Sequence, residues 1–319
     1  MGKRDVVDKS YFSESRRFAE LINVLLYHGE RIVLPENLIL RRRKYPSLRS
    51  GCGEMERDIL MEDSGQNICY GMEIETESDY SMAERVMVYD ACEYEYQVKE
   101  LDRGHRDRED YADCREKKSR MKESDRLLPM ITAVLYLGEG HWKGSRRLSK
   151  MCGMSAKGRM LLEKNFRDYD FPLAEADYVD PEAYETDLKQ FFQAMQCRKD
   201  RKKLKELFHT ESFRRLGAET ERAIAGHLHI KGLLCKIEKE GLPMCKAFND
   251  LVEEERQAGR KEGKREGRRE GKKEGKREGK REEKLKTIRR MIKGGFDESV
   301  IRRMTNCTKE DLRAAVEHS

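Results

Sequence analysis

Residues 56–75 read Glu56-Arg-Asp-Ile-Leu-Met-Glu-Asp63, then Ser64-Gly65, then Gln66-Asn-Ile-Cys-Tyr-Gly-Met-Glu-Ile-Glu75. Ser-Gly between two segments that carry apolar residues predicts a β-hairpin with a two-residue turn. Such a turn places Asp58 opposite Gly71 on the partner strand. Because side chains alternate between the two faces of a strand, Glu73 and Glu75 then share a face with Asp58. Glu73 is the diagonal neighbour of Asp58 across the pair of strands.

This hairpin is a candidate metal site. Three carboxylates that converge on one face of a sheet repel one another unless a cation lies among them. Mg²⁺ prefers sites in which one or two carboxylates are joined by water and phosphate oxygens. The alternative is a solvated acidic face, because Asp and Glu make up 61 of the 319 residues. A shift of one residue in register would also move Asp58 to the opposite face.

Segments on both sides of the hairpin carry a family resemblance. They include Arg17-Phe-Ala-Glu20-Leu-Ile-Asn23, Thr76-Glu-Ser-Asp-Tyr80, Ile131-Thr-Ala-Val-Leu-Tyr-Leu-Gly138 and Met244-Cys-Lys-Ala-Phe248. In this order the segments resemble the Rpn family of recombination-promoting nucleases, which are often labelled as transposases. That family looks like a branch of the PD-(D/E)XK nuclease superfamily. The resemblance covers nearly the whole chain in patches and leaves out residues 99–128.

The resemblance implies a fold and an activity. The fold is α/β, a restriction-endonuclease-like core with a central mixed sheet, followed by an α-helical region and a charged tail. The activity is that of a DNA endonuclease which depends on Mg²⁺ or Mn²⁺, hydrolyses phosphodiester bonds and is associated with recombination or mobile elements.

The resemblance also implies four catalytic positions: Glu20 on the first helix, Asp58 in the hairpin, Glu73 and Glu75. Asp58, Glu73 and Glu75 would be the metal ligands. Position 75 usually carries Gln in the family and Lys in the wider fold. Glu75 can bind metal or act as a base toward water, but it can also mark a decayed copy. The alternative function is therefore a catalytically inactive nuclease that binds DNA or protein.

The positive charge of the chain is localised in one segment. Residues 259–282 are six Gly-basic-basic-Glu units with twelve Lys or Arg and six Glu. The charge of this tract is therefore +6, which equals the formal net charge of the whole chain. The rest of the chain is therefore neutral, and we expect this tract to supply most of the sequence-independent contacts to DNA phosphates. A four-residue period with Gly at each repeat favours a frayed helix or a solvated linker, because an interior Gly costs about 0.8–1 kcal/mol in a helix. A self-associated helix with close Gly contacts is the alternative.

Hydrophobic periodicity predicts the organisation of the remainder. Apolar stripes predict helices over 15–28 and 79–98, and the uncharged run 127–137 predicts a strand. The charged segment 99–126 reads as a solvated loop, with a nucleic-acid contact as the alternative. These patterns predict a nuclease-like core at 1–144, an α-helical extension at 145–256, a Gly/Lys/Arg/Glu linker at 257–283 and a small helical tail at 284–319.

Several features bear on the environment of the chain and on its C-terminal end. Nine scattered cysteines without CxxC spacing, and no secretory segment at the N-terminus, predict reduced thiols in a cytoplasmic protein. The longest uncharged apolar run is too short to span a bilayer, so we expect no association with a membrane. Association of the chain with further copies of itself, as a homo-oligomer, is a possibility that the sequence does not decide. In the tail, Thr308 and Asp311 have the spacing of a capping box. The tail resembles either a docking module or a helix-turn-helix.

Overall fold

A computed structural model describes residues 3–42, 44–46, 54–162 and 165–316. The chain divides into two compact units, the first ending at Asn249 and the second beginning at Asp250. The described strands are β1 (Leu38–Arg41), β2 (Lys44–Pro46), β3 (Glu54–Glu56), β4 (Ile59–Asp63), β5 (Ile68–Glu75), β6 (Met130–Tyr136) and β7 (Leu173–Glu175).

Helices make up most of the described chain. In order they are α1 (Lys3–Phe12), α2 (Ser15–Tyr27), α3 (Met82–Arg108), α4 (Cys114–Ser119), α5 (Leu148–Met151), α6 (Ala156–Leu162), α7 (Leu188–Cys197), α8 (Arg201–Phe208), α9 (Glu211–Arg214), α10 (Ala218–His227), α11 (Leu233–Glu240), α12 (Met244–Lys293), α13 (Glu298–Thr305) and α14 (Lys309–Val316). Within the described ranges, no helix combines the length and apolar composition that crossing a membrane requires.

Five strands form a mixed sheet in the order β1-β4-β5-β6-β7. The pairs β1/β4 and β4/β5 are antiparallel, whereas β5/β6 and β6/β7 are parallel. The predicted α/β class with a central mixed sheet is confirmed, and the predicted strand over 127–137 is confirmed as β6. The strands β2 and β3 form a separate antiparallel pair.

The predicted two-residue turn of the hairpin is wrong. Asp63 pairs with Ile68, so four residues connect β4 to β5. The Asp63 carboxylate accepts hydrogen bonds from the backbone N–H groups of Gly65 (2.9 Å) and Gln66 (3.2 Å), which closes a wider turn. Asn67 adopts a left-handed conformation with φ 54°, which Asn tolerates better than most residues.

This correction leaves the face assignment intact. Pairing is displaced by two residues, and side chains alternate with period two, so the same set of side chains stays on each face. Ile59 pairs with Met72 at the start of β4. Extending this register by one residue brings Asp58 opposite Glu73 rather than Gly71.

Helix α3 covers the face of the sheet that carries Glu73. Its buried residues Met82 and Val86 pack with Val134 of β6 and with Phe171. The helix was predicted to end near residue 98 but continues to Arg108. The interpretation of 99–126 as a solvated loop is therefore wrong for its first ten residues and for α4.

Charged residues in this segment are satisfied by one another, which explains why it is ordered. His105 is buried, and its ring nitrogens contact the carboxylates of Asp110 (2.8 Å) and Asp125 (3.0 Å). Lys122 forms an ion pair with the same Asp110 at 2.8 Å. Sequence composition shows the number of charges but not this pairing.

The opposite face of the sheet lies against α2, whose predicted boundaries are confirmed. The Tyr27 hydroxyl of α2 hydrogen-bonds the Tyr70 hydroxyl of β5 at 2.7 Å. The strand β7 adds a fifth strand beyond the predicted core boundary at residue 144, and the helices from α7 to α11 belong to the same compact unit.

In the second unit, residues 257–283, which were interpreted as a linker, are helical and lie within α12. The C-terminal end of α12 packs with α13 and α14 around Ile288, Ile301 and Ala315. The predicted capping box is confirmed. The Thr308 N–H donates to the Asp311 carboxylate, and the Asp311 N–H donates to the Thr308 hydroxyl.

Candidate functional site

Asp58 immediately precedes β4 and is half-buried. One carboxylate oxygen accepts a hydrogen bond from the backbone N–H of Ile74 at 2.8 Å. The other forms an ion pair with the Lys9 ammonium of α1, also at 2.8 Å. Asp58 is therefore fixed by the neighbouring strand on one side and by a flexible cation on the other.

Glu73 lies within β5 and is only 1% exposed. One carboxylate oxygen, Oε2, forms an ion pair with Arg85 at 3.0 Å. The other, Oε1, is buried and has no hydrogen-bond partner among the residues that the structure describes. Burial raises the pKa of Glu73 from 4.5 to about 7, and the nearby negative charge of Asp58 adds to the rise. Arg85 and Arg57 oppose it.

Arg85, in the first turns of α3, connects three acidic residues. Its guanidinium forms ion pairs with Glu73, with Glu75, and with Asp79 at 2.9 Å. Burial raises the pKa of Glu75, although Arg85 opposes the rise. Asp79 also accepts hydrogen bonds from Ser81, at the start of α3. The start of α3 thus places the Arg85 guanidinium beside the acidic residues at the end of β5.

The structure does not bring Glu20 to these acids. The Glu20 carboxylate accepts hydrogen bonds from the backbone N–H groups of Glu185 and Thr186 and from the Thr186 hydroxyl. These contacts tie α2 to the segment that leads into α7. In the described structure Glu20 is therefore a scaffold contact, separate from the Asp58–Glu73 pair.

A buried polar network lies behind the pair on the same face of the sheet. Arg57 is 4% exposed and forms an ion pair with Asp90 of α3 and a hydrogen bond with Thr132 of β6. The Tyr169 hydroxyl donates to the other Asp90 oxygen. A Cβ atom at Gly71 would lie 2.3 Å from the Arg57 guanidinium. Because position 71 has no side chain, the Arg57 guanidinium can lie over Gly71 and reach Thr132 on the same face of the sheet. From there its positive charge lowers the pKa of Glu73.

Three cations of this site were missed by the sequence reasoning. Arg57 is adjacent to Asp58, and Arg85 lies at the start of the helix that follows Glu75, so chain proximity offered a weak signal for both. Lys9 offered none, because it reaches Asp58 from a helix 49 positions earlier in the chain.

The fit of these residues to a metal ion can be judged from the donor set. Among the described residues, no group of three or more His, Cys, Asp or Glu side chains is arranged to hold a metal. Glu75 faces Arg85 instead. Asp58 and Glu73 remain as two adjacent carboxylates, one with an unpaired buried oxygen. Two carboxylates are the number that Mg²⁺ commonly takes from a protein when phosphate and water supply the rest.

Comparisons of the chain with protein-family models, with curated proteins and with solved structures found no match. The function is therefore argued from the residues described above.

Proposed function

We propose that this protein is a metal-dependent DNA endonuclease whose active site is built on Asp58 and Glu73. The observation that carries the proposal is the buried Glu73 carboxylate. It has one oxygen without a partner among the described residues, lies beside a second carboxylate and has a pKa of about 7. Buried acids with a perturbed pKa beside a second charged group are concentrated at functional sites. The family resemblance of the surrounding segments supplies the reaction class and a restriction-endonuclease-like core.

Asp58 and Glu73 would hold one Mg²⁺ or Mn²⁺ ion. When bound, the ion supplies charge neutralisation of the phosphodiester and a more acidic water nucleophile. The Ile74 N–H orients Asp58 for this role. The ammonium of Lys9 is the group that must leave Asp58 before its oxygen is free, and Glu73 must release its proton.

Arg85 provides a positive charge where position 75 lacks the lysine of the wider fold. It already contacts Glu73 and Glu75, so its guanidinium is held at the end of β5. We propose that Arg85 stabilises negative charge on the phosphate during cleavage and that Glu75 positions Arg85. Glu20, which accepts hydrogen bonds from Thr186, would have a structural role only and would take no part in catalysis. DNA is the proposed substrate, and the proposed location is cytoplasmic.

The test is nicking of supercoiled plasmid in Mg²⁺. Asp58→Asn and Glu73→Gln should each reduce cleavage by orders of magnitude, while Glu77→Gln, an exposed acid two residues after Glu75, should cleave like the wild type. Metal affinity, measured by calorimetry with Mn²⁺, should fall in the same two variants. Equal nicking by the wild type and Asp58→Asn would refute the proposal.

One observation favours the second candidate, a catalytically inactive module that binds DNA or protein. Lys9 pairs with Asp58, and Arg85 pairs with Glu73 and Glu75, so each acid already has a cationic partner without a metal ion. Glu75→Gln separates the two functions. Gain of cleavage in this variant would identify a damaged nuclease site, whereas a decrease would show that Glu75 contributes to activity. Absence of metal-dependent cleavage in both proteins, with DNA binding retained, would establish the binding module.

A further inference from the structure

A groove lies beside Asp58 between α1, β1 and the start of β4. It has a volume of about 460 Å³ and is lined by residues that include Lys9, Ser10, Ser13, Arg41, Arg42 and Asp58. This size falls within the range of small-ligand sites. Along the groove, the lining residues of α1 and of the turn after it run from Val6 to Ser13, about 10 Å at the rise of a helix. The groove is therefore longer than a single phosphate group.

Positive side chains outnumber negative ones along this groove. Lys9, Arg41, Arg42 and Arg57 face only two carboxylates, those of Glu56 and Asp58.

The four cations differ in how far they are already engaged. Arg57 is buried against Asp90, and Arg41 forms an ion pair with Glu62 at 2.9 Å. Arg42 is exposed and makes no ion pair with any residue that the structure describes. Lys9 is held only by Asp58 among the described residues. Arg42 and Lys9 are therefore the two cations that a ligand in the groove can recruit.

We propose that this groove binds the phosphodiester backbone of one DNA strand, with Arg42 and Lys9 as the cations that contact phosphate. The inference rests on the proposed function, because the groove leads the strand directly to Asp58. Ser10 adds a hydroxyl on the α1 side, and the exposed Leu40 adds apolar surface for the sugars. Backbone phosphates are the usual targets of Arg, Lys and Ser side chains in protein–DNA complexes.

Lys9 couples this groove to the metal site. While Lys9 is paired with Asp58, its charge is directed at the carboxylate rather than at DNA. A cation that takes the place of Lys9 at Asp58 frees the ammonium for a phosphate a short distance away in the same groove. Metal and DNA should therefore each strengthen binding of the other, since coupling of this kind is reciprocal.

The test is fluorescence anisotropy of the full-length protein with a labelled 20-base-pair duplex in EDTA, where no divalent ion supports cleavage. Arg42→Gln should weaken binding by about 3- to 10-fold and reduce the slope of log K against log salt by about 0.9 for each phosphate that position 42 no longer neutralises. Arg42→Glu should weaken it further. The matched control is Arg115→Gln, which removes one positive charge at a side chain that is 96% exposed on α4.

Wild-type affinity in both Arg42 variants would overturn the inference. Displacement of the duplex by inorganic phosphate, well below the concentration at which phosphate only screens charge in Arg115→Gln, would also overturn it. The second result would identify a site for a free anion. Failure of the proposed function gives a different pattern. A wild-type protein that cleaves no plasmid, but whose DNA affinity falls in Arg42→Gln, would retain the groove as a DNA site and exclude the nuclease.

Discussion

Replacing Glu73 with glutamine should stabilise the fold at alkaline pH. Glutamine keeps the shape of the side chain and an oxygen that can accept from Arg85, but it carries no charge to bury. The pKa of Glu73 is about 7 in the folded chain and 4.5 in the reference state. At about 1.4 kcal/mol for each pH unit, ionisation of this buried group costs the folded state about 3 kcal/mol.

The pH dependence has a definite sign. Between 4.5 and about 7 the folded chain holds a proton on Glu73 that the unfolded chain has released. Wild-type stability should therefore fall as pH rises through this interval and level off above it. Glu73→Gln lacks this contribution, so its advantage over the wild type should be near zero at the acidic end and reach about 3 kcal/mol at the alkaline end.

Urea denaturation followed by tryptophan fluorescence measures this difference. The chain has one tryptophan, Trp142, which packs against the cluster of Met82, Val86 and Phe171 and so reports on the first unit. Glu77→Gln is the control, because that side chain is exposed and its substitution should leave the pH profile unchanged. Parallel pH profiles for Glu73→Gln and the wild type would refute the assignment of a buried, ionisable carboxylate at this position.

Two variants that replace glycine with alanine should have opposite effects on stability. Gly71→Ala should destabilise the first unit by roughly 2–4 kcal/mol in the same urea assay, because its Cβ would displace Arg57 from the buried pair with Asp90. Gly153→Ala, with open space around the Cβ position, is the control, and equal stability of the two variants would contradict the packing. In the tract 259–282, replacing Gly263, Gly267 and Gly271 with Ala should raise helicity by circular dichroism and stabilise α12 by about 0.8–1 kcal/mol each, since nothing lies within 4 Å of these glycines. A decrease in self-association instead would show that the glycines pack against a second copy.

The elements that sequence reasoning located are those with a strong local signal. Apolar periodicity placed α2 and the first part of α3, an uncharged run placed β6, and the Thr308–Asp311 spacing placed the start of α14. Asp58 and Glu73 were placed together although the turn was wrong. A displacement of two residues preserves the side-chain faces, so the error in loop length did not reach the site.

The features that were missed depend on distant partners. The charged residues that extend α3 are paired with one another around His105, and such pairing is invisible in composition. The three-residue strand β7 is too short to carry a periodic signal. Whether Glu20 meets the sheet or the segment before α7 depends on how α2 packs, which the helical pattern does not encode.

The tract 259–282 shows the limit of propensity. Six glycines argue against a helix, yet the tract lies within α12. Glu and a basic residue three positions later can pair along such a helix, as Glu262 and Arg265 do at 3.8 Å. Each pair of this kind is worth only about 0.2–0.5 kcal/mol, which is less than the cost of one glycine. Stability of the tract as a helix therefore has to come from the ordered elements on either side or from association.

The energetic cost of burying Glu73 helps to decide whether this residue has a functional or only a structural role. A glutamine at position 73 would keep a hydrogen bond with Arg85 and avoid the cost of ionising a buried carboxylate at neutral and alkaline pH. The carboxylate leaves one buried oxygen without a partner in the described structure and stands next to Asp58, whose charge makes ionisation harder still. None of these contacts improves the packing of the sheet. A cation bound between Asp58 and Glu73 would remove each of these costs. It would be coordinated by the unpaired oxygen of Glu73, and its positive charge would offset the repulsion between the two carboxylates. The position thus favours a role for its charge over a role in the fold, which is why Glu73, rather than Glu20 or Glu75, is the residue on which the nuclease proposal depends.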